Sequence, residues 1–184
     1  MDLLDIKENS LYFDEPMPEE AEKLINSASL QYGEKNVEQL LLRAYALAPR
    51  HLTILVGLYR YYYYQHRLDD SLDVAHMTLS VSGKRLDFPA NYLELTPLHL
   101  GAGALKSMGM VRFYLLALKA AGWLNLRLKK WDTAVSMLSK VCELDEMDRL
   151  GAKPLLEMAQ ECANMNNEYQ VAQPVAKQAI AKNV

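Results

Sequence analysis

Cysteine is scarce in this chain of 184 residues, and Cys142 and Cys162 are all there is. Two cysteines cannot build the disulfide framework of a small secreted domain, and they suit a reducing compartment. Phenylalanine is scarce too, with 3 residues against 11 tyrosines, and the tyrosines run together from Tyr61 to Tyr64. An excess of one charge is also lacking. The 20 Lys and Arg face 23 Asp and Glu, for a net charge of −3 and a pI near 5.8. That balance excludes a general nucleic-acid binder. Apolar runs are cut by Arg, Lys or Glu well before the roughly 18 residues a membrane-spanning helix needs. The first residues, MDLLDIKENS, carry acids where a secretory signal needs a basic start. The expectation is a cytoplasmic chain with no membrane span.

Chemistry-bearing motifs are missing as well. There is no HExxH, no CxxC, and no serine or cysteine in a nucleophile context. GAGALKS at 101–107 resembles a phosphate loop only faintly, because Leu105 stands where that loop needs a glycine before Lys106. Asp69, Asp73 and His76 share a helix face, which is the pattern of a solvated edge more often than of a metal site. These readings predict no enzyme, no metal and no cofactor. What the chain does have is 51% hydrophobic and 23% charged residues, ample for a packed core.

That apolar content is arranged at helical spacing and repeats. In the segment from Pro18 to Arg50, Leu24, Ile25 and Ala28 mark one helix, and Val37, Leu41 and Ala44 a second, closed by Pro49. The pattern returns with Leu58, Tyr59 and Tyr62, then Ser71, Ala75 and Thr78, with Gly83 in the place of Pro49. It breaks over 86–114 and resumes with Ala121, Gly122 and Asn125, then Ala134, Leu138 and Val141. A last unit carries Leu156, Ala159 and Ala163, then Tyr169, Ala172, Ala176 and Ala179. In three units a bulky residue precedes a small one by three positions: Leu68 and Ser71, Trp131 and Ala134, Tyr169 and Ala172. The small residue lets paired helices approach, and the bulky one fills the space between pairs. Gly33, His66, Lys130 and Asn166–Asn167 fall at the expected turns. A hairpin of this size cannot bury its apolar face alone, so its neighbours must stack on it.

The period and the segments LRAYALAP, LYRYYYYQHRLDDSLDVA and GWLNLRLKKWDTAVSMLSKVCELD resemble the tetratricopeptide repeat (TPR) family. The resemblance implies an all-α, right-handed superhelical stack of about four helical hairpins. Its units are 18–51, 52–85, 115–148 and 153–184, with an insertion at 86–114 and a flexible acidic lead-in at 1–17. Within the insertion, Pro89 and Pro97 and the spacing of Leu93, Leu95, Leu98 and Leu100 predict an extended segment. Helix is expected to restart near Ser107 and to run into Leu128.

In the TPR family the first helix of each hairpin lines a concave groove that takes peptides. Carried over by position, the lining residues are Glu22, Lys23, Asn26 and Ser29; Val56, Arg60, Tyr63 and Tyr64; Lys119, Trp123, Leu126 and Arg127; and Glu157, Met158, Glu161 and Met165. The candidate peptide-binding residues are Arg60, Tyr63, Tyr64, Lys119, Trp123 and Arg127, since Arg and aromatic side chains most often anchor partners. Tyr59 and Tyr62 fall at core places. Trp123 and Arg127, one turn apart, are spaced for a cation–π contact.

The implied function is protein–protein interaction as an adaptor, assembly factor or chaperone, with an acidic or amphipathic peptide as partner. The lysine and asparagine clamp that reads chaperone tails is mostly absent, with Glu22, Gly57, Leu116 and Ala120 at its places. The alternatives are a chaperone of a bacterial secretion apparatus and a structural module that forms homo-oligomers. ALAPRHLTILVGLYRYYYY, RFYLLALKAAGWLNLRL and DRLGAKPLLEM also resemble small bacterial TPR proteins found with nitrogen-fixation genes, which implies a role in the assembly or protection of a metalloenzyme.

Overall fold

The computed structural model describes residues 15–31 and 36–181, with side chains as far as residue 168. Among the described residues the chain is all-helical. Its elements are α1 (Glu19–Leu30), α2 (Val37–Leu47), α3 (Leu52–Tyr64), α4 (Leu68–Arg85), a 3-10 turn (Tyr92–Glu94), α5 (Pro97–Arg127), α6 (Trp131–Leu144) and α7 (Lys153–Ala181). Each helix packs on the one that precedes it. Helices two apart also meet. A Cβ built on Gly57 of α3 would lie 3.9 Å from Ile25 Cδ1 of α1. Trp123 and Leu126 of α5 share an apolar cluster with Leu155 and Leu156 of α7.

The small residues picked out by spacing mark the close approaches. Ala28, Ala44, Ala75, Ala121 and Ala134 are all buried. Ser71 is buried as well, and its Oγ donates to the Tyr59 carbonyl at 3.2 Å, which holds α4 against α3. A Cβ on Gly122 would fall 2.9 Å from Leu138 Cγ, so α5 and α6 touch there without a side chain between them. Around these contacts lie fully buried large side chains, among them Leu52, Leu55, Leu58, Tyr59, Phe113, Leu116, Leu124 and Leu138. Each such side chain contributes roughly 1.5–3 kcal/mol by leaving water.

Two of the four expected turns are present and share one geometry. After α3, Arg67 N donates to Tyr62 O at 2.9 Å and His66 N to Tyr63 O at 3.1 Å, with His66 at φ 57°. After α5, Lys130 N donates to Asn125 O at 2.9 Å and Lys129 N to Leu126 O at 3.1 Å, with Lys129 at φ 60°. Both turns close the last carbonyls with a left-handed residue. The turn expected at Gly33 lies outside the described residues. At Asn166–Asn167 the expectation fails, because α7 runs through both as one helix. Asparagine costs a helix only a few tenths of a kcal/mol, and no glycine or left-handed residue interrupts the chain there. The side chains of Tyr169, Ala172, Ala176 and Ala179 lie outside the described ones.

The insertion also departs from the extended segment expected. Pro97 does not break a helix but opens one, as the first residue of α5. Thr96 caps it: its Oγ1 accepts from His99 N at 3.5 Å, while His99 Nδ1 accepts from Thr96 N at 3.2 Å. The expected restart at Ser107 is present as a sharp bend, with φ −163° and ψ 105°, and Ser107 Oγ accepts from Met110 N at 3.2 Å. The segment before α5 lies against α6, where Tyr92 Oη is 2.9 Å from Ser136 Oγ and Lys140 Nζ donates to Leu95 O at 3.3 Å. Of the lead-in 1–17, residues 1–14 lie outside the described residues. Its end is anchored, because Arg85 Nη2 donates to Glu15 Oε1 at 2.8 Å and His51 Nε2 donates to Glu15 O at 3.2 Å.

Candidate functional site

The residues singled out from sequence fall into two groups. Tyr63 and Tyr64 close α3, and Trp123 and Arg127 lie on the last turns of α5. These four form a connected set. Trp123 Nε1 donates to Tyr63 Oη at 3.1 Å, bridging the two helices. The Arg127 guanidinium sits over the Trp123 ring at 5.6 Å, which is the cation–π contact the spacing predicted. Tyr63 meets Tyr64 edge-on at 5.9 Å and stacks on Tyr59 at 6.1 Å. Tyr63 and Trp123 are half-buried, Arg127 is exposed, and Tyr64 is 50% exposed. Arg60 lies one turn before Tyr64 on α3 and is half-buried.

Lys119 stands elsewhere. It is only 7% exposed, and its Nζ donates to the Leu150 carbonyl at 2.7 Å. A lysine inside a helical stack needs acceptors to offset its lost hydration, and the loop between α6 and α7 provides one. That loop is shaped by its own carboxylates: Asp145 Oδ2 accepts from Leu150 N at 2.7 Å, and Asp148 Oδ1 accepts from Ala152 N at 2.7 Å. Lys119 therefore braces the start of α7 instead of lining an open face. Val56 and Leu126, also carried over as lining residues, are buried. Glu22, Lys23, Asn26, Ser29, Glu157, Met158, Glu161 and Met165 are exposed.

The tyrosine run divides by helical position. Tyr59 and Tyr62 are core, and Tyr61 is half-buried with its ring edge-on to Tyr62 at 5.7 Å. Arg67 lies over the Tyr62 ring at 4.5 Å and holds Glu38 Oε1 at 2.6 Å and Asp70 Oδ2 at 2.8 Å. Burial pushes the Tyr62 phenol up, and Glu38 adds to it.

The other motifs resolve simply. Residues 101–107 lie within α5, and a Cβ on Gly103 would meet Phe88 Cε1 at 2.8 Å, so that glycine serves packing. Asp69 is paired with Lys130 at 3.4 Å. Burial lowers the pKa of His76, Asp73 opposing and Lys130 adding to the effect. Among the described residues no three His, Cys, Asp or Glu side chains are placed to hold a metal ion. None of the described helices is long and apolar enough to cross a membrane.

Sequence reasoning missed two features. One is the hydrogen bond between Tyr63 and Trp123, which spans too much sequence for any local pattern to carry. The other is an apolar stripe on the first part of α5, where Leu98 is 81% and Leu105 is 92% exposed with Gly101 and Ala102 between them. Its spacing of three, four and seven residues was the available signal.

No protein-family model matches the chain, and no solved structure matches it. A curated relative does. The chain is 48% identical over 161 residues to a protein of Azotobacter chroococcum mcd 1 described as "Uncharacterized 19.8 kDa protein in nifW 5′ region". The match covers 88% of this chain and 90% of the relative.

Proposed function

This chain belongs to one family with the 19.8 kDa Azotobacter protein, and from that premise we propose that it is a protein-interaction module, an adaptor, assembly factor or chaperone. In this reading the helices form a TPR-like right-handed stack, and a peptide segment of another protein lies along the face made by α3 and α5. The observation that carries it is the cluster of Tyr63, Tyr64, Trp123 and Arg127, in which aromatic area and a guanidinium stand together at a helix junction without metal-binding or nucleophilic groups. Such side chains bury much apolar surface at small entropic cost while keeping a polar tip, the mark of interface anchors. The matched turns after α3 and α5 support the repeat reading, since the two hairpins they join are built alike.

The test is a titration. The partner retained by the wild-type protein from extracts of the source cell is identified by mass, and then measured against Arg60→Ala and Trp123→Ala. Each substitution is expected to weaken binding by about 1–2 kcal/mol with helical content unchanged. Equal affinity in both variants sets the reading aside.

A second reading rests on one observation, the position of the relative in a nifW 5′ region. There the partner belongs to the assembly or protection of a nitrogen-fixation metalloenzyme. Deleting the gene in a nitrogen-fixing host then lowers nitrogenase activity while growth on fixed nitrogen is unchanged. Wild-type nitrogenase activity in the deletion strain discards it.

A further inference from the structure

Acidic residues are absent from the two helices that carry the aromatic cluster. Between His51 and Leu68, a stretch that contains all of α3, there is no Asp or Glu. Between Leu95 and Trp131, which contains all of α5, there is none either. The bases in these helices are Arg60 on α3 and Lys106, Arg112, Lys119 and Arg127 on α5, of which Lys106 is paired with Asp87. The acids of the same region stand on the alternate helices, with Asp69, Asp70 and Asp73 on α4 and Asp132 and Glu143 on α6. The helices flanking the pair are acidic in turn. α1 exposes Glu19, Glu20 and Glu22, of which Glu19 is paired with Lys23 and Glu20 with Arg43, and α7 exposes Glu157 and Glu161.

A nearly neutral protein has thus kept its acids off α3 and α5, while bases stand on both sets of helices, Lys84 and Arg85 on α4 and Lys140 on α6 among them. Tyr63 and Trp123 join α3 to α5, so the acid-free pair forms one surface with a cationic end at Arg127 and aromatic area beside it. Arg127 makes no ion pair among the described residues, while Lys119 is engaged inside. The exposed Arg127 favours a carboxylate over the middle of this surface, and Glu22 on α1 with Glu157 and Glu161 on α7 disfavour one towards either end. Like charges across an interface cost affinity, so such a pattern selects for length and position as well as sign. A long polyanion would pay at both ends.

We infer that the α3–α5 face takes an internal protein segment with acidic residues at its centre, an apolar or aromatic anchor among them, and neutral or basic flanks. The anchor sits against Tyr64 and Trp123, and a carboxylate of the segment meets Arg127. This rests on the interaction-module reading above and adds to it the chemistry of the partner.

Synthetic peptides with both ends blocked test it on the full chain. The acid-centred probe is SKSLDDFELSKS, with a charge-swapped control SESLKKFKLSES and a neutral control SKSLNNFQLSKS. Single-stranded oligothymidine serves as the polyanion. Anisotropy of the labelled probe is expected to show saturable binding of the acid-centred peptide, at least about tenfold tighter than either control. Its affinity is expected to fall by at least about tenfold in Arg127→Glu, and again with rising salt. Arg112→Glu, about four turns earlier on α5, controls for the change of net charge and is expected to cost less. No saturable binding of the acid-centred peptide, equal binding of the charge-swapped peptide, or equal binding of oligothymidine overturns the inference. If all three peptides bind alike and Trp123→Ala abolishes that binding, the interaction face stands and only its acidic preference falls.

Discussion

The Tyr114 phenol on α5 is packed between α4 and Phe88, only 3% exposed, with its ring edge-on to Phe88 at 5.1 Å. Its Cε2 would lie 3.1 Å from a Cβ on Gly83, so α4 passes over it with no side chain to spare. Burial pushes its pKa from the ordinary 10.0 up to about 12. The folded state therefore holds this proton more tightly than the unfolded chain does. The stability it contributes is complete below pH 10 and is lost as pH rises through the folded value. A shift of this size corresponds to about 2–3 kcal/mol. Urea midpoints for the wild-type protein should decline between pH 10 and 12, and Tyr114→Phe should flatten part of that decline while changing little at pH 7. Coincident alkaline limbs would refute this. The core role of Tyr59 and Tyr62 was legible in their spacing, because helical period alone assigns a face. That Lys119 turns inward was not, since its acceptor is a loop carbonyl at Leu150 that no pattern in α5 announces.

At the scale of the element, helix ends hold the most information. α3, α4 and α5 all close on a residue with positive φ, and none of the three, His66, Asp87 and Lys129, is glycine. A side chain in that conformation costs on the order of 1 kcal/mol, which glycine avoids. Lys129→Gly is expected to raise stability by up to about 1 kcal/mol, and Lys129→Val to lower it, both read from urea unfolding. If the glycine variant is the less stable, the turn draws more from the lysine side chain than its geometry suggests. The start and restart of α5 contrast in legibility. Ser107 could be placed from sequence, because a serine before an apolar helical run is a cap signal. Pro97 was misread as a breaker because proline ends one helix and begins another with equal ease, and only Thr96 and His99 decide which. The missing turn in α7 was overread from two asparagines that a helix tolerates.

Across the whole molecule, order follows chain sequence. Each helix leans on its immediate neighbours, and the largest fully buried side chains cluster in α3 and α5, with Leu138 on α6 and none among the described residues of α1 and α7. Local opening should therefore begin at the ends. Amide exchange is expected to be slowest in α3 and in α5 after Ser107, and fastest in α1 and α7. Uniform protection over the seven described helices would argue for a single indivisible core. The helical class and the burial of the repeating small residues could be read in advance, because period and side-chain size are local. The absence of acids from α3 and α5 became visible only when the acids of α4 and α6 could be set apart from those two helices. The join at Tyr63 and Trp123 has an optical consequence. Tyr59, Tyr63 and Tyr64 lie ring to ring within about 6 Å, and the series ends at an indole within hydrogen-bonding reach. Light absorbed by these phenols can pass to Trp123, so in a Trp131→Phe background its emission under tyrosine excitation is a gauge of whether α3 and α5 stand together.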